Sequence, residues 1–152
     1  MASASLNDYI PQGCIEFCAD ETFLQSASRA AELLSSAGAA SSNYSAEVVQ
    51  IVNERGPYMV VAPQVAIVHG RPSEDTLTTA ASLVISSVDL LSGSEANDPV
   101  RLVFAISATS NEQHLEMLQS LSNFLVVPGV IRELQSCSTV SEVRQIISNN
   151  LQ

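Results

Sequence analysis

Two histidines are the residues of this chain best placed by type and spacing to do chemistry, and they are the only two it has. His69 closes the apolar run Val65-Ala66-Ile67-Val68 and is followed at once by Gly70-Arg71-Pro72. His114 stands in Ser110-Asn111-Glu112-Gln113-His114, just beyond a second apolar run, Val100 to Ala108. Imidazole titrates near neutral pH, so its neutral form offers a nitrogen lone pair under physiological conditions. A strand's carboxyl end beside a glycine gives such a ring a fixed, exposed position with backbone room around it. The first turn of a helix lowers an imidazole's pKa and attracts anions. Taken singly, each histidine has an ordinary structural reading, His69 as a strand-end residue and His114 as a satisfied side chain at the edge of the core. Taken together they imply more. If the strands before them are parallel neighbours in one sheet, their carboxyl ends share an edge and the two rings meet there.

Other chemistries fit this pair less well. A catalytic zinc takes three protein ligands, so two histidines fall short. No Gly-x-Ser-x-Gly elbow supports a serine nucleophile. The cysteines, Cys14, Cys18 and Cys137, are odd in number and lack metal-type pairing. Cys14 and Cys18 are four apart on an expected strand, where they share a face and read as buried free thiols. What remains is a histidine that itself carries a group.

The elements that must position these rings can be read from periodicity. Ile15 to Cys18 alternates as a first strand. Asp20 is the expected N-cap of a helix through Phe23, Ala27, Ala30 and Leu34, ended by Gly38. After a short connection, Ser35 to Ser45, a second helix runs from near Ser45 to Arg55 and stops at Gly56. Met59 to His69 is valine-rich and interrupted by Pro63, which predicts two strand pieces with Val65 to Val68 the buried one. Ala80 to Val88 and Val100 to Ala108 are strand-like, separated by a loop at Ser92 to Pro99. A helix is expected from Glu112 to about Val126, with Ser110 and Gln113 as a capping box. Its inward face would carry His114, Met117, Leu118, Leu121 and Leu125, turning the ring toward the sheet. Val130 to Leu134 reads as a short helix, and Thr139 to Ile147 as the last, with Thr139 and Glu142 at capping-box spacing. The expectation is an α/β fold: one domain over 1–152, with a mixed, mostly parallel sheet of about five strands flanked by helices. Residues 1–12 are expected to form an N-terminal segment that is only partly ordered.

Composition bounds the partners. The chain has 152 residues, enough to bury roughly 70% of its unfolded surface. Sixteen acidic residues face six arginines and no lysine, a net charge of −10. That balance argues against nucleic-acid binding and against anionic membranes, and suits a partner with a positive face. Met1 to Ile10 has neither the basic start nor the apolar stretch of a signal peptide, and no apolar run reaches membrane-span length. The chain therefore reads as cytoplasmic, without direct membrane insertion.

At the histidine segments the chain resembles a known family, the enzyme IIA components of the bacterial phosphotransferase system, in the mannitol/fructose superfamily, and above all the ascorbate-type IIA proteins. The matching residues are Gly56-Pro57-Tyr58, Ala62-Pro63 and His69-Gly70-Arg71-Pro72. Asn97-Asp98-Pro99-Val100 resembles the family's lead-in to the next strand, and Ala108 to His114 its second histidine segment. The blocks keep their order and spacing from about Ile15 to Ile147.

The resemblance implies a phosphotransferase that works as a phosphocarrier. His69 would accept a phosphoryl group from phosphohistidine on HPr and pass it to a cysteine of a IIB component, serving a membrane IIC permease indirectly. His114 would be its active-site partner, and Gly70 and Arg71 candidates for stabilising phosphoryl charge. No cofactor and no metal are implied, because donor and acceptor are both protein side chains. The implied cargo is an ascorbate-like sugar acid or a pentitol. Two positions depart from the family pattern: Val68 replaces a proline before the active histidine, and Gln64 replaces a glycine after Ala-Pro. The arginine of the mannitol-type branch is not carried over to Arg55, which is followed by Gly56. A regulatory protein of the same fold, whose phosphorylation controls a partner, is the main alternative. A non-catalytic interaction domain is a third, supported only by Val68.

Overall fold

The computed structural model describes residues 5–19 and 22–150. The chain runs α1 (Leu6–Tyr9), β1 (Ile15–Cys18), α2 (Phe23–Ser36), α3 (Ser42–Arg55), a 3₁₀ turn (Gly56–Met59), β2 (Val60–Ala62), β3 (Val65–His69), β4 (Ala80–Leu90), β5 (Val100–Ser107), α4 (Asn111–Leu125), α5 (Val130–Gln135) and α6 (Val140–Asn149). The five strands form one mixed sheet in the order β1-β4-β5-β3-β2. Its pairings alternate: β1–β4 parallel, β4–β5 antiparallel, β5–β3 parallel and β3–β2 antiparallel. The sheet is the expected five-stranded mixed one, with two of its four pairings parallel.

Burial explains why the central strands lack polar alternation. Ala80 to Ser86 of β4 and Leu102 to Ser107 of β5 are buried at every position, so both faces are covered. α2 and α3 pack together as one layer, while α4, α5, α6 and α1 are linked to one another as the other. The polar residues among them are satisfied: Ser82 Oγ donates to Ala30 O at 2.6 Å and Ser107 Oγ to Thr78 O at 2.9 Å.

Helix ends follow local chemistry. Thr22 caps α2 with Gln25 reciprocating, Ser41 caps α3, and Thr139 with Glu142 closes the expected box on α6. The cap expected at Asp20 lies outside the described residues; Thr22 does that work. α3 starts at Ser42, three residues before the predicted position, which brings Tyr44 onto the buried face of the helix. Ser110 Oγ accepts from Gln113 N at 3.1 Å, but the Gln113 side chain turns to Glu116, so the box expected on α4 is half-formed.

The described part of the N-terminal segment is anchored to the last helix. Leu6 and Ile10 are buried, and Asn7 and Arg144 of α6 exchange hydrogen bonds at 3.1 and 3.2 Å. Residues 1–4 lie outside the described part. Among the thiols, Cys14 is buried just before β1, while Cys18 and Cys137 are half-buried rather than buried. Cys14 and Cys18 both face α2, meeting Leu33 O and Ser26 Oγ. Among the described residues, no helix is long and apolar enough to cross a membrane.

Candidate active site

The pairing of β3 with β5 decides the site. They run parallel, with His69 opposite Ile106, so their carboxyl ends share one edge of the sheet. After β5 the chain crosses Ala108 to Ser110 and enters α4, which puts His114 in the first turn. The rings of His69 and His114 meet with centroids 5.0 Å apart and planes inclined at 60°. His114 lies on the face of α4 that carries buried Met117, Leu121 and Leu125, as the periodicity predicts.

The tautomer of His69 follows from one contact. Nδ1 lies 3.0 Å from Ile67 O, and a carbonyl can only accept. Nδ1 therefore carries the proton, and Nε2 presents the lone pair. Burial lowers the pKa of His69, partly opposed by that hydrogen bond. Burial also lowers the pKa of His114, and the neighbouring His69 charge lowers it further. Burial and the second ring both favour the neutral form of His114.

A third side chain organises this edge. Tyr44 of α3 is 2% exposed, and its hydroxyl donates to Ile106 O at 2.7 Å while accepting the Gly70 N–H at 2.9 Å. One oxygen thus ties the end of β5 to the residue after His69. Burial pushes the Tyr44 pKa up to about 12, with the Gly70 N–H opposing and the Glu47 charge adding, so the phenol stays protonated.

Gly70, expected to offer its amide to a phosphoryl group, has that N–H committed to Tyr44. What the site takes from Gly70 here is the missing side chain. A Cβ would lie 3.0 Å from Tyr44 Cε1 and collide with the Glu47 carboxylate. Arg71 donates its backbone N–H to Glu47 Oε2 at 3.2 Å, and its residue is exposed. An open depression of about 1130 Å³ holds both imidazoles and is lined by Glu47, Glu54 and Arg55 of α3 and by Arg71 and Asn111. Arg55, set aside on sequence grounds, thus lines the same depression as Arg71.

Tyr44 and Glu47 are the two residues that sequence reasoning missed. Tyr44 precedes Val48 and Val52 at helical spacing, so a buried hydroxyl needing partners was legible there. Nothing in the pattern distinguishes Glu47 from a solvated helix residue.

Val68 and Gln64 also find their places. Val68 is fully buried and pairs with Ala105, so the strand continues through to His69 without the proline. Gln64 adopts φ 74°, the left-handed conformation that glycine favours. Its backbone N–H donates to Asn97 O, its carbonyl accepts from Arg101 and Leu102, and its side chain bonds Gln135.

Comparison with known proteins agrees with this architecture. The family described as phosphoenolpyruvate-dependent sugar phosphotransferase system, EIIA 2, matches residues 19–150. The chain is 32% identical over 117 residues to the ascorbate-specific PTS system EIIA component of Salmonella typhimurium, covering 76% of each. It is 30% identical over 128 residues to the Escherichia coli K12 protein of the same description, covering 84% of this chain and 83% of that one. Among solved structures it superposes on the mannitol-specific cryptic phosphotransferase enzyme IIA CmtB from Escherichia coli with a TM-score of 0.85 and 25% identity, covering 96% of this chain and 99% of the other. Enzyme IIAMTL of Escherichia coli, in complex with phosphorylated enzyme IIBMTL, shares the fold with a TM-score of 0.78 and 24% identity, covering 92% and 97%.

Proposed function

This chain belongs to the EIIA 2 family of the phosphoenolpyruvate-dependent sugar phosphotransferase system, and on that premise we propose that it is a phosphocarrier whose acceptor atom is Nε2 of His69. The observation that carries the proposal is the Nδ1–H to Ile67 hydrogen bond, which leaves the Nε2 lone pair free in a ring kept neutral by burial. Phosphohistidine on HPr is the donor. The His69 Nε2 lone pair forms the new P–N bond as the donor's P–N bond breaks, and the donor nitrogen keeps that bond's electron pair. In the second step a cysteine thiolate of a IIB component attacks phosphorus, and Nε2 recovers its lone pair.

Transfer of this kind rests on positioning and on charge stabilisation at the equatorial oxygens. Arg71, Arg55 and the first turn of α4 at Asn111 line the same depression as the two imidazoles, which makes them the candidates to meet that charge. His114 positions and polarises without carrying the group. Tyr58, 86% exposed, lines the same depression as the histidines, and Leu115, 67% exposed, follows His114 in α4; both offer apolar surface to protein partners. The named relatives direct the cargo class toward ascorbate or a similar sugar acid, delivered through a IIC permease that this chain serves indirectly from the cytoplasm.

Incubation with phosphoenolpyruvate, enzyme I and HPr tests the reading. The protein is expected to acquire one acid-labile, base-stable phosphoryl group. His69→Ala abolishes labelling while leaving the fold intact, and His114→Ala slows labelling without preventing it. A His69→Ala protein that labels as well as the native one, or a phosphoryl group mapped to His114, overturns the assignment.

A further inference from the structure

We propose that Glu47 is a resident anion on the phosphoryl-acceptor loop, which phosphorylation of His69 must displace, and that it thereby raises the tendency of the protein to pass its phosphoryl group on. The inference rests on the phosphocarrier reading above and concerns a residue which that reading does not use.

The placement carries it. Glu47 Oε2 accepts the backbone N–H of Arg71, two residues beyond the acceptor histidine, at 3.2 Å. The same carboxylate fills the space that the absent side chain of Gly70 leaves open. Glu47, Ile51, Glu54 and Arg55 form one stripe along α3 at i, i+4, i+7 and i+8, and all four face the depression that holds both imidazoles. The ion pairs among the described residues are Arg29 with Glu16 and Glu32, and Arg101 with Asp89. Glu47 is in none of them. Its carboxylate accepts a neutral amide and lines the same depression as the ring that is to carry a phosphoryl group of nearly two negative charges.

Two consequences follow from charge alone. With a phosphoryl group on His69, the Glu47 carboxylate and the phosphoryl oxygens compete for the Arg71 N–H and repel one another. The phosphorylated state is destabilised relative to a site with a neutral residue at 47, while the unphosphorylated loop is held closed by the same carboxylate. A less stable phosphohistidine is a better donor to the next protein in the chain of transfers.

Glu47→Gln isolates the effect, because its amide oxygen still accepts the Arg71 N–H while the charge is gone. Glu47→Ala removes both. At equilibrium with a fixed ratio of HPr to phospho-HPr, both variants are expected to hold about three- to tenfold more phosphoryl group than the native protein, at the same melting temperature. A Glu47→Gln protein indistinguishable from native overturns the proposal, whether Glu47→Ala shifts or not, since the carboxylate would then act only as a loop contact. If the native protein takes no label from phospho-HPr, the carrier reading fails on its own. Phosphorylation of His69 with phosphoramidate, releasing ammonia, then judges Glu47 separately. A phosphohistidine several-fold longer-lived in Glu47→Gln supports the proposal, and equal lifetimes overturn it.

Discussion

The two ends of β3 are built on different principles. At the amino end, Gln64 carries an unfavourable backbone conformation, yet three backbone hydrogen bonds and a side-chain bond to Gln135 hold it. At the carboxyl end, the ladder with β5 runs to His69 opposite Ile106, and two further contacts involve side chains: the His69 ring on Ile67 O, and the Gly70 N–H on the Tyr44 hydroxyl. The first end is redundantly tied and tolerates a departure from the family pattern. The second is held past the ladder by side chains of α3 and opens onto the depression. Redundant backbone ties lie away from the depression, and the ring we propose as the acceptor lies where side-chain contacts alone follow the end of the ladder.

That contrast is broken most directly at Tyr44. Tyr44→Phe leaves the buried Gly70 N–H and a lone pair of Ile106 O without their partner, and is expected to cost about 2 kcal/mol in chemical denaturation. Phosphotransfer to His69 should fall about tenfold, because the acceptor loop loses its tether to β5. An unchanged rate together with an unchanged stability would show that the carboxyl end is as redundant as the other.

Gln64 probes the opposite end. Gln64→Ala loses the bond to Gln135 and keeps the strained backbone, an expected loss of about 1 kcal/mol. Gln64→Gly relieves a left-handed conformation worth roughly 1–2 kcal/mol, but it loses the same bond and gains unfolded freedom. Its stability should fall within about 1 kcal/mol of native. Labelling of His69 should be unaffected in both, and a variant that labels poorly while folded would join the two ends functionally.

The imidazoles set a pH signature for the carboxyl end. Both titrate below the ordinary value in the folded protein. The unfolded chain therefore binds more protons as pH falls through about 6.5. The stability contributed by the neutral rings is present above that pH and is lost as pH falls through and below it. Denaturation midpoints should decline between pH 7.5 and 5, and less steeply in His69→Gln, which removes one ring and the charge that acts on the other. NMR titration should find the remaining His114 moved toward the ordinary value. A steeper decline in His69→Gln contradicts the assignment.

Val68 is where the smallest effect is expected. Since valine already carries the strand through to His69, Val68→Pro should leave the transfer rate from HPr within a few-fold of native, well under the 1.4 kcal/mol that corresponds to tenfold. An inert native protein restored by proline would instead favour a regulatory or non-catalytic role.

Much of the molecule was legible in the pattern of its residues, for local reasons. The strand at Val65 to Val68, the loop at Ser92 to Pro99 and the capping box at Thr139 and Glu142 each depend on neighbours in the chain, so composition and spacing reveal them. The meeting of His69 and His114 was conditional: it followed only if β3 and β5 were parallel neighbours, and register across a sheet is set by packing on both faces. Tyr44 and Glu47 were out of reach as site residues. They reach Gly70 and Arg71 across more than twenty positions of sequence, through α3 laid against the end of β3. By itself the sequence singled out the two histidines as the residues with the chemistry to carry a group, because that follows from side-chain type and position in an element. Only the tertiary structure decided which nitrogen is free and what charge stands beside it, because a hydrogen bond to a carbonyl and a carboxylate on a distant helix depend on how the elements pack.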